Sequence, residues 1–98
     1  MELILAASDE AREAPKEPSL FQQMVDRFRT MPKATIALIE GICRGGGSEF
    51  VLSMDMRFAA IGKAVLGQPE VAVGIIPGGS GTQRLPRLMG RGRALEVI

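Results

Sequence analysis

Residues 41–49 read "GICRGGGSE", a stretch in which three consecutive glycines stand two positions ahead of a carboxylate. Glycine loses more conformational freedom on folding than any other residue, so three in a row are costly inside a helix or strand. We therefore expect a turn at the glycines, between a buried strand predicted at 34–40 and a helix predicted at 48–55. Free N–H groups at the start of such a helix favour a bound negative charge.

The pattern of apolar residues predicts the elements on either side of this turn. Ser19 and Gln22 have the spacing of a capping box, which opens an amphipathic helix at 19–30 ahead of Pro32. The remaining predictions are an exposed charged loop at 8–18, short strands at 56–61 and 64–68, an extended apolar segment at 71–76, a loop at 77–81, and helices at 82–89 and 93–98, with Pro86 near a first turn or at a break. This order of helices and strands predicts an α/β fold.

The composition indicates a small globular protein with one domain. The chain has 98 residues, which we divide into an N-terminal segment with the charged loop at 1–18 and a helix and motif-bearing core at 19–98. The formal net charge is +1, so no nucleic-acid partner is expected. No apolar run approaches the ~20 residues of a membrane span. Cys43 is the single cysteine, which favours a reducing, cytoplasmic location and a packing role for its thiol.

The chain contains no histidine, tyrosine or tryptophan. Without histidine there is no Ser-His-Asp or Cys-His nucleophile system, and most zinc sites are excluded, so we expect no metal. Acid–base chemistry is left to carboxylates, lysines or the lone thiol.

Two glutamates are candidates for such chemistry. Glu49 lies about one helical turn beyond Gly46, on the same face, beside whatever the glycine N–H groups bind. A first-turn glutamate that merely complements the helix dipole is the common alternative, as a tight packing turn is for the glycines. Glu70 ends the sequence "GQPE", where a surface glutamate is the default interpretation and a second acid–base carboxylate is the sharper one.

Two further motifs leave their roles open. The loop "PGGSG" at 77–81 is either a flexible connection or part of a ligand site. The arginines of the C-terminal region indicate a solvated helical face or, alternatively, a phosphate-bearing ligand; they are Arg84, Arg87, Arg91 and Arg93.

Longer stretches carry a family resemblance. The sequences "GICRGGGSEFVLSMDMRFAA" (41–60) and "LGQPEVAVGIIPGGSGTQRLPRLMGRGRALEVI" (66–98) strongly resemble the enoyl-CoA hydratase/isomerase (crotonase) family. The resemblance implies part of a ββα spiral that binds an acyl-CoA thioester and needs no further cofactor. It also implies an enzyme of fatty acid metabolism.

The resemblance also implies roles for individual residues. Gly46 is expected to donate its N–H to the thioester oxygen as one half of an oxyanion hole. Glu49 and Glu70 are expected to handle the water and proton that add across the α,β double bond, and Gly45 and Gly78 to line the substrate. Because both glutamates are present, the resemblance favours a hydratase over relatives that replace one of them.

The chain departs from the family in its length. Family members are longer, place a second oxyanion donor ahead of the point where this chain starts, and form homo-oligomers through helices beyond the point where it ends. We therefore expect a chain truncated at both ends. The alternatives are a non-catalytic family fragment that binds acyl-CoA or subunits without turnover, and a small anion-binding module built on the glycine turns.

Overall fold

A computed structural model describes residues 17–98 of the chain. The elements follow one another as α1 (Leu20–Thr30), β1 (Ile36–Ile39), β2 (Ile42–Arg44), α2 (Gly46–Leu52), β3 (Met56–Ala59), β4 (Val65–Gly67), a 3₁₀ helix (Pro69–Val73), α3 (Gly81–Met89) and α4 (Arg91–Val97). The predicted α/β class is confirmed. The predicted loop at 8–18 lies outside the described residues except for Glu17 and Pro18, which are exposed.

The four strands form two separate parallel pairs. β1 pairs with β3, with Ile36 opposite Met56, and β2 pairs with β4, with Ile42 opposite Val65. Parallel strands require a crossover connection. The crossover from β1 to β3 and the crossover from β2 to β4 both include α2. The chain therefore alternates between the two sheets, and the start of α2 lies beside both of them.

The buried core lies between β1 and α2. Ala37 and Ile39 of β1 contact Val51 of α2, and three partly buried residues pack against them: Cys43, Met54 and Ala64. This confirms the packing role predicted for Cys43. Burial raises the pKa of its thiol above the ordinary value.

Helix α1 begins as the sequence predicts. Ser19 Oγ accepts the N–H of Gln22 at 3.1 Å, and Gln22 Oε1 accepts the N–H of Ser19 at 2.9 Å, which completes a capping box. The ring of Phe28 meets that of Phe50 edge-on, with centroids 4.9 Å apart. This contact joins α1 to α2, which carries the glycine turn.

Several predicted boundaries are wrong, for identifiable reasons. Residues 71–76 are not extended: Pro69 opens a 3₁₀ helix, and Gly74, at φ +76°, ends it. β2 was not predicted, because its three residues gain strand geometry only by pairing with distant β4. Helix α2 begins at Gly46 rather than at Ser48, and Pro86 lies inside α3.

Candidate active site

The glycine turn brings backbone and a carboxylate together. Gly45 adopts φ +58°, ψ −126°, and its N–H donates to the carbonyl of Gly67 in β4 at 3.0 Å. A Cβ at Gly45 would lie 3.4 Å from Oε1 of Glu70, an ordinary contact, so it is the positive φ that favours glycine there. Gly46 follows as the first residue of α2, where N–H groups have no partner within the helix.

Glu49 is buried in α2 against the loop that precedes α3. Glu49 is only 3% exposed, and its Oε2 accepts the N–H of Gly81 at 2.8 Å. Desolvation is the largest influence on its carboxyl group and raises the pKa; the N–H groups of Gly81 and Gly79 lower it, while the charge of Glu70 raises it. The net direction is upward, so Glu49 holds a proton more readily than an exposed glutamate does.

Glu70 is buried as well, which excludes the surface role that was its default interpretation. It lies in the first turn of the 3₁₀ helix, and its residue is 8% exposed. Nε2 of Gln68 donates to Oε1 and Oε2 of Glu70 at 3.1 and 3.2 Å. Gln68 is itself 2% exposed, and its Oε1 has no hydrogen-bond partner among the residues described. Gln68 therefore holds the Glu70 carboxylate from inside the fold.

The backbone of Gly81 lies between the carboxylate of Glu49 and the side-chain amide of Gln68. A Cβ built there would be 3.2 Å from Oε2 of Glu49 and 3.2 Å from Nε2 of Gln68, the amide that holds Glu70. The structure thus brings together Glu49 and Glu70, which are distant in sequence, behind one glycine turn. The charge of Glu70 contributes to the raised pKa of Glu49.

A cavity of about 520 Å³ opens beside Glu49. Its lining combines an aromatic ring, two isoleucines, three glycines and polar side chains: Glu17, Ser19, Phe21, Gln22, Gly46, Glu49, Ile75, Ile76, Gly78 and Gly79. The cavity therefore reaches the predicted residues Gly46, Glu49 and Gly78. Gly45 and Glu70 lie behind it and do not line it.

The glycine loop after the 3₁₀ helix is packed against α1. The carbonyl of Gly78 accepts Nε2 of Gln22 at 2.6 Å. At Gly79, a Cβ would clash with the Phe21 ring and lie 2.8 Å from the Glu49 carboxyl carbon, so only glycine fits without displacement. The ring of Phe21 and the carboxyl group of Glu49 therefore both pack closely against the backbone of Gly79.

Three residues of this site were not singled out from the sequence: Phe21, Gln68 and Gly79. Phe21 belongs to an apolar helical stripe and so was counted only as packing. Gln68 stands two positions before Glu70, and Gly79 beside Gly78. Both could have been found as sequence neighbours of the predicted site residues Glu70 and Gly78. Their burial could not, because burial is a tertiary property that no local pattern records.

Comparison with known proteins decides the family. A profile described as enoyl-CoA hydratase/isomerase matches residues 5–98. The chain belongs to the enoyl-CoA hydratase/isomerase family. The resemblance inferred from residues 41–60 and 66–98 is thereby confirmed.

Individual relatives agree with this assignment. YngF of Bacillus subtilis is named as a provisionally assigned enoyl-CoA hydratase/isomerase. It is 50% identical to this chain over 80 residues, which are 82% of this chain and 30% of YngF. The fatty acid oxidation complex subunit alpha of Aliivibrio fischeri is 42% identical over 96 residues, 97% of this chain and 14% of that subunit.

A solved structure confirms the fold. The enoyl-CoA hydratase of Bacillus anthracis superposes with a TM-score of 0.77 at 47% identity, covering 80% of this chain and 30% of that one. The predicted partial crotonase-like ββα spiral is therefore correct. This enoyl-CoA hydratase/isomerase family chain spans less than a third of the length of each of these relatives. Over residues 17–98, no helix is long and apolar enough to cross a membrane.

Proposed function

We propose that this chain carries a hydratase-type half-site, which adds water across the α,β double bond of an acyl-CoA thioester. The observation that carries the proposal is the burial of Glu49 and Glu70 behind one glycine turn, with Glu49 facing a cavity lined partly by apolar side chains. A conjugated acyl chain fits such a cavity, since it is apolar along its length and reactive at one end.

Gly46 supplies the electrophilic element of the proposed reaction. Addition of water to the β-carbon of an enoyl thioester moves negative charge onto the thioester oxygen. An N–H group at the start of α2 stabilises that charge, because it is oriented before the reaction begins and lies at the positive end of the helix dipole. The absence of a side chain at Gly46 lets the thioester approach the backbone closely.

The two glutamates supply the proton transfers. One carboxylate accepts a proton from water as its oxygen bonds to the β-carbon, and the other carboxyl group delivers a proton to the α-carbon. Burial raises the pKa of Glu49, and a carboxyl group that holds its proton more readily is suited to deliver it.

A second candidate function is binding of acyl-CoA without turnover. The lining of the cavity favours it, because Glu49 lines the cavity and Glu70 does not. A thioester held there would then contact one of the two carboxyl groups that hydration requires.

The test is hydration of crotonyl-CoA, followed by loss of the ultraviolet absorbance of the conjugated thioester. Glu49→Gln is expected to lower the rate by about 10²–10⁴, the usual contribution of a general acid or base. Glu40→Gln is the matched control, since Glu40 is exposed and does not line the cavity. Crotonyl-CoA binding without turnover would favour the second function, and a folded chain that neither binds nor hydrates crotonyl-CoA would contradict both.

A further inference from the structure

A second cavity, separate from the one beside Glu49, is lined by arginines. Its volume is about 410 Å³, and its lining is polar throughout: Asp26, Arg29, Ser80, Gln83, Arg84 and Arg87. None of these residues lines the cavity that reaches Glu49. The site lies between α1, which supplies Asp26 and Arg29, and α3.

The charges around this cavity do not balance. Three guanidinium groups face one carboxylate, so the lining carries a net formal charge of +2 (three arginines less Asp26). Asp26 is paired twice, to Nη2 of Arg84 at 3.2 Å and to Nε of Arg29 at 3.6 Å. A single carboxylate shared between two arginines leaves positive charge uncompensated next to Arg87.

Arg84 is the buried member of the three. The residue is 9% exposed, and its Nη1 has no hydrogen-bond partner among the residues that the structure describes. Burial lowers the pKa of its guanidinium, as does the charge of Arg29, whereas Asp26 opposes both. Burying a charged group is costly unless it is paired and hydrogen-bonded, so a further anion at this cavity would relieve a cost that Asp26 meets only in part.

The first turn of α3 adds neutral donors to the same cavity. Ser80 is the residue that caps α3, and Gln83 lies one turn along; no acidic residue occupies that first turn. The N–H of Gly81 at the start of α3 is already taken by the Glu49 carboxylate, so the arginines rather than the helix dipole supply the positive charge of this cavity. The preferred partner of several convergent guanidinium groups with hydroxyl and amide donors is a tetrahedral oxyanion, which accepts bidentate hydrogen bonds.

We propose that the cavity between α1 and α3 binds a phosphoryl group, held by Arg29, Arg84 and Arg87. This assigns a role to two of the four arginines of the C-terminal region, Arg84 and Arg87, which line the cavity. Arg91 and Arg93 belong to α4 and do not line it. The site does not depend on the proposed hydratase chemistry. A phosphate monoester and free inorganic phosphate present the same chemistry to it.

The test is an NMR titration of the whole chain with inorganic phosphate, in a phosphate-free buffer with ionic strength held constant by sodium chloride. The chemical shifts of the arginine Nε–H groups report occupancy. Arg29→Gln and Arg87→Gln are each expected to weaken the apparent affinity by about tenfold or more, because each removes a charge-assisted hydrogen bond. Both side chains are exposed, so both variants should retain the fold.

Arg93→Gln is the matched control, since it removes the same charge from an exposed residue of α4. It should leave the affinity for inorganic phosphate unchanged. Equal weakening by Arg93→Gln would show non-specific attraction and overturn the site, as would a folded chain whose arginine signals do not respond to phosphate. A parallel titration with glycerol 3-phosphate identifies the source: tighter binding than phosphate assigns the site to an esterified phosphate, and equal or weaker binding to the free ion.

Discussion

Glu49 is the residue at which burial and hydrogen bonding oppose each other most directly. Desolvation favours the neutral carboxyl group, whereas the N–H of Gly81, 2.8 Å from Oε2, favours the carboxylate. Desolvation is the larger influence, and Glu70 adds to it. An ionised Glu49 therefore costs the folded protein stability.

This cost of ionising Glu49 makes the free energy of unfolding depend on pH. A raised pKa means that the folded chain binds the proton more tightly than the unfolded chain, in which glutamate titrates near ~4.3. The stabilisation that Glu49 contributes is complete below that pH and is lost as pH rises through its raised pKa. Glu49→Gln should therefore increase the free energy of unfolding at pH 7 and flatten its dependence on pH.

Urea denaturation between pH 4 and pH 8 checks this prediction. Glu40→Gln, which removes an exposed carboxyl group, should leave the shape of the pH profile unchanged. A Glu49→Gln profile that still falls with rising pH as steeply as that of the unaltered chain would assign the effect to other groups.

Two adjacent glycines of the same loop differ sharply in what surrounds them. A Cβ at Gly79 would clash with the ring of Phe21 and lie 2.8 Å from Glu49, whereas a Cβ at Gly78 would have nothing within 4 Å. Gly79→Ala should thus cost about 1–3 kcal/mol of unfolding free energy, as overpacked sites do. Gly78→Ala should stay within about 0.5 kcal/mol.

Urea midpoints of the two variants provide the comparison. Because both variants replace glycine by alanine at adjacent positions, the change in backbone propensity largely cancels when their unfolding free energies are compared. Equal losses at both positions would mean that the loop yields as a unit and that Phe21 does not constrain Gly79.

At the scale of elements, α1 is held by its cap and by the loop that it supports. The capping box joins Ser19 to Gln22, and Nε2 of Gln22 continues to the carbonyl of Gly78. Ser19→Ala should cost about 1 kcal/mol of unfolding free energy, since it removes the oxygen that satisfies the N–H of Gln22. Ser19→Asp, which keeps an acceptor at that position, should change stability by only a few tenths.

Thermal or urea unfolding followed by far-ultraviolet circular dichroism measures both variants. If Ser19→Asp proved as destabilising as Ser19→Ala, the loss would come from the cavity wall, which Ser19 also lines, rather than from the cap.

The elements also show how far local sequence reaches. The capping box at Ser19 and the strand at Ile36 were predictable, because caps and short β-branched runs are encoded within a few residues. β2 and the 3₁₀ helix at Pro69 were not predictable. β2 depends on pairing with β4, and the 3₁₀ helix depends on the direction that the chain takes after β4. Likewise Glu49 and Glu70 were identifiable as candidates, whereas their burial, and the amide of Gln68 that holds Glu70, arise only when distant segments meet.

At the scale of the whole molecule, the most unusual surface is one face of the β1–β3 sheet. Parallel sheets are normally covered on both faces. Here Ile36 and Leu38 are 57% and 70% exposed, and Met56 and Phe58 opposite them are 41% and 57% exposed. Residues 17–98 therefore present a contiguous apolar face to solvent.

A fluorescent dye that binds exposed apolar surface, anilinonaphthalene sulfonate, should detect this face. Leu38→Thr combined with Phe58→Thr should reduce the dye fluorescence of the native chain, and threonine keeps the strand preference of the sheet. Ile61→Thr is the control, because Ile61 is fully exposed but lies outside both sheets. Equal reductions by the control and by the double variant would place the dye elsewhere.

The amide group of Gln22 has a consequence for motion within the folded state. Its oxygen fastens the first turn of α1, and its nitrogen fastens a loop 56 residues further along the chain. Because one side chain holds both, we expect fraying of that helical turn to loosen the glycine loop as well. Ligand bound in the cavity would slow hydrogen–deuterium exchange at Gln23, whose N–H donates to the carbonyl of Ser19 at 2.9 Å. The occupancy of the cavity could thus be measured at a residue that does not line it.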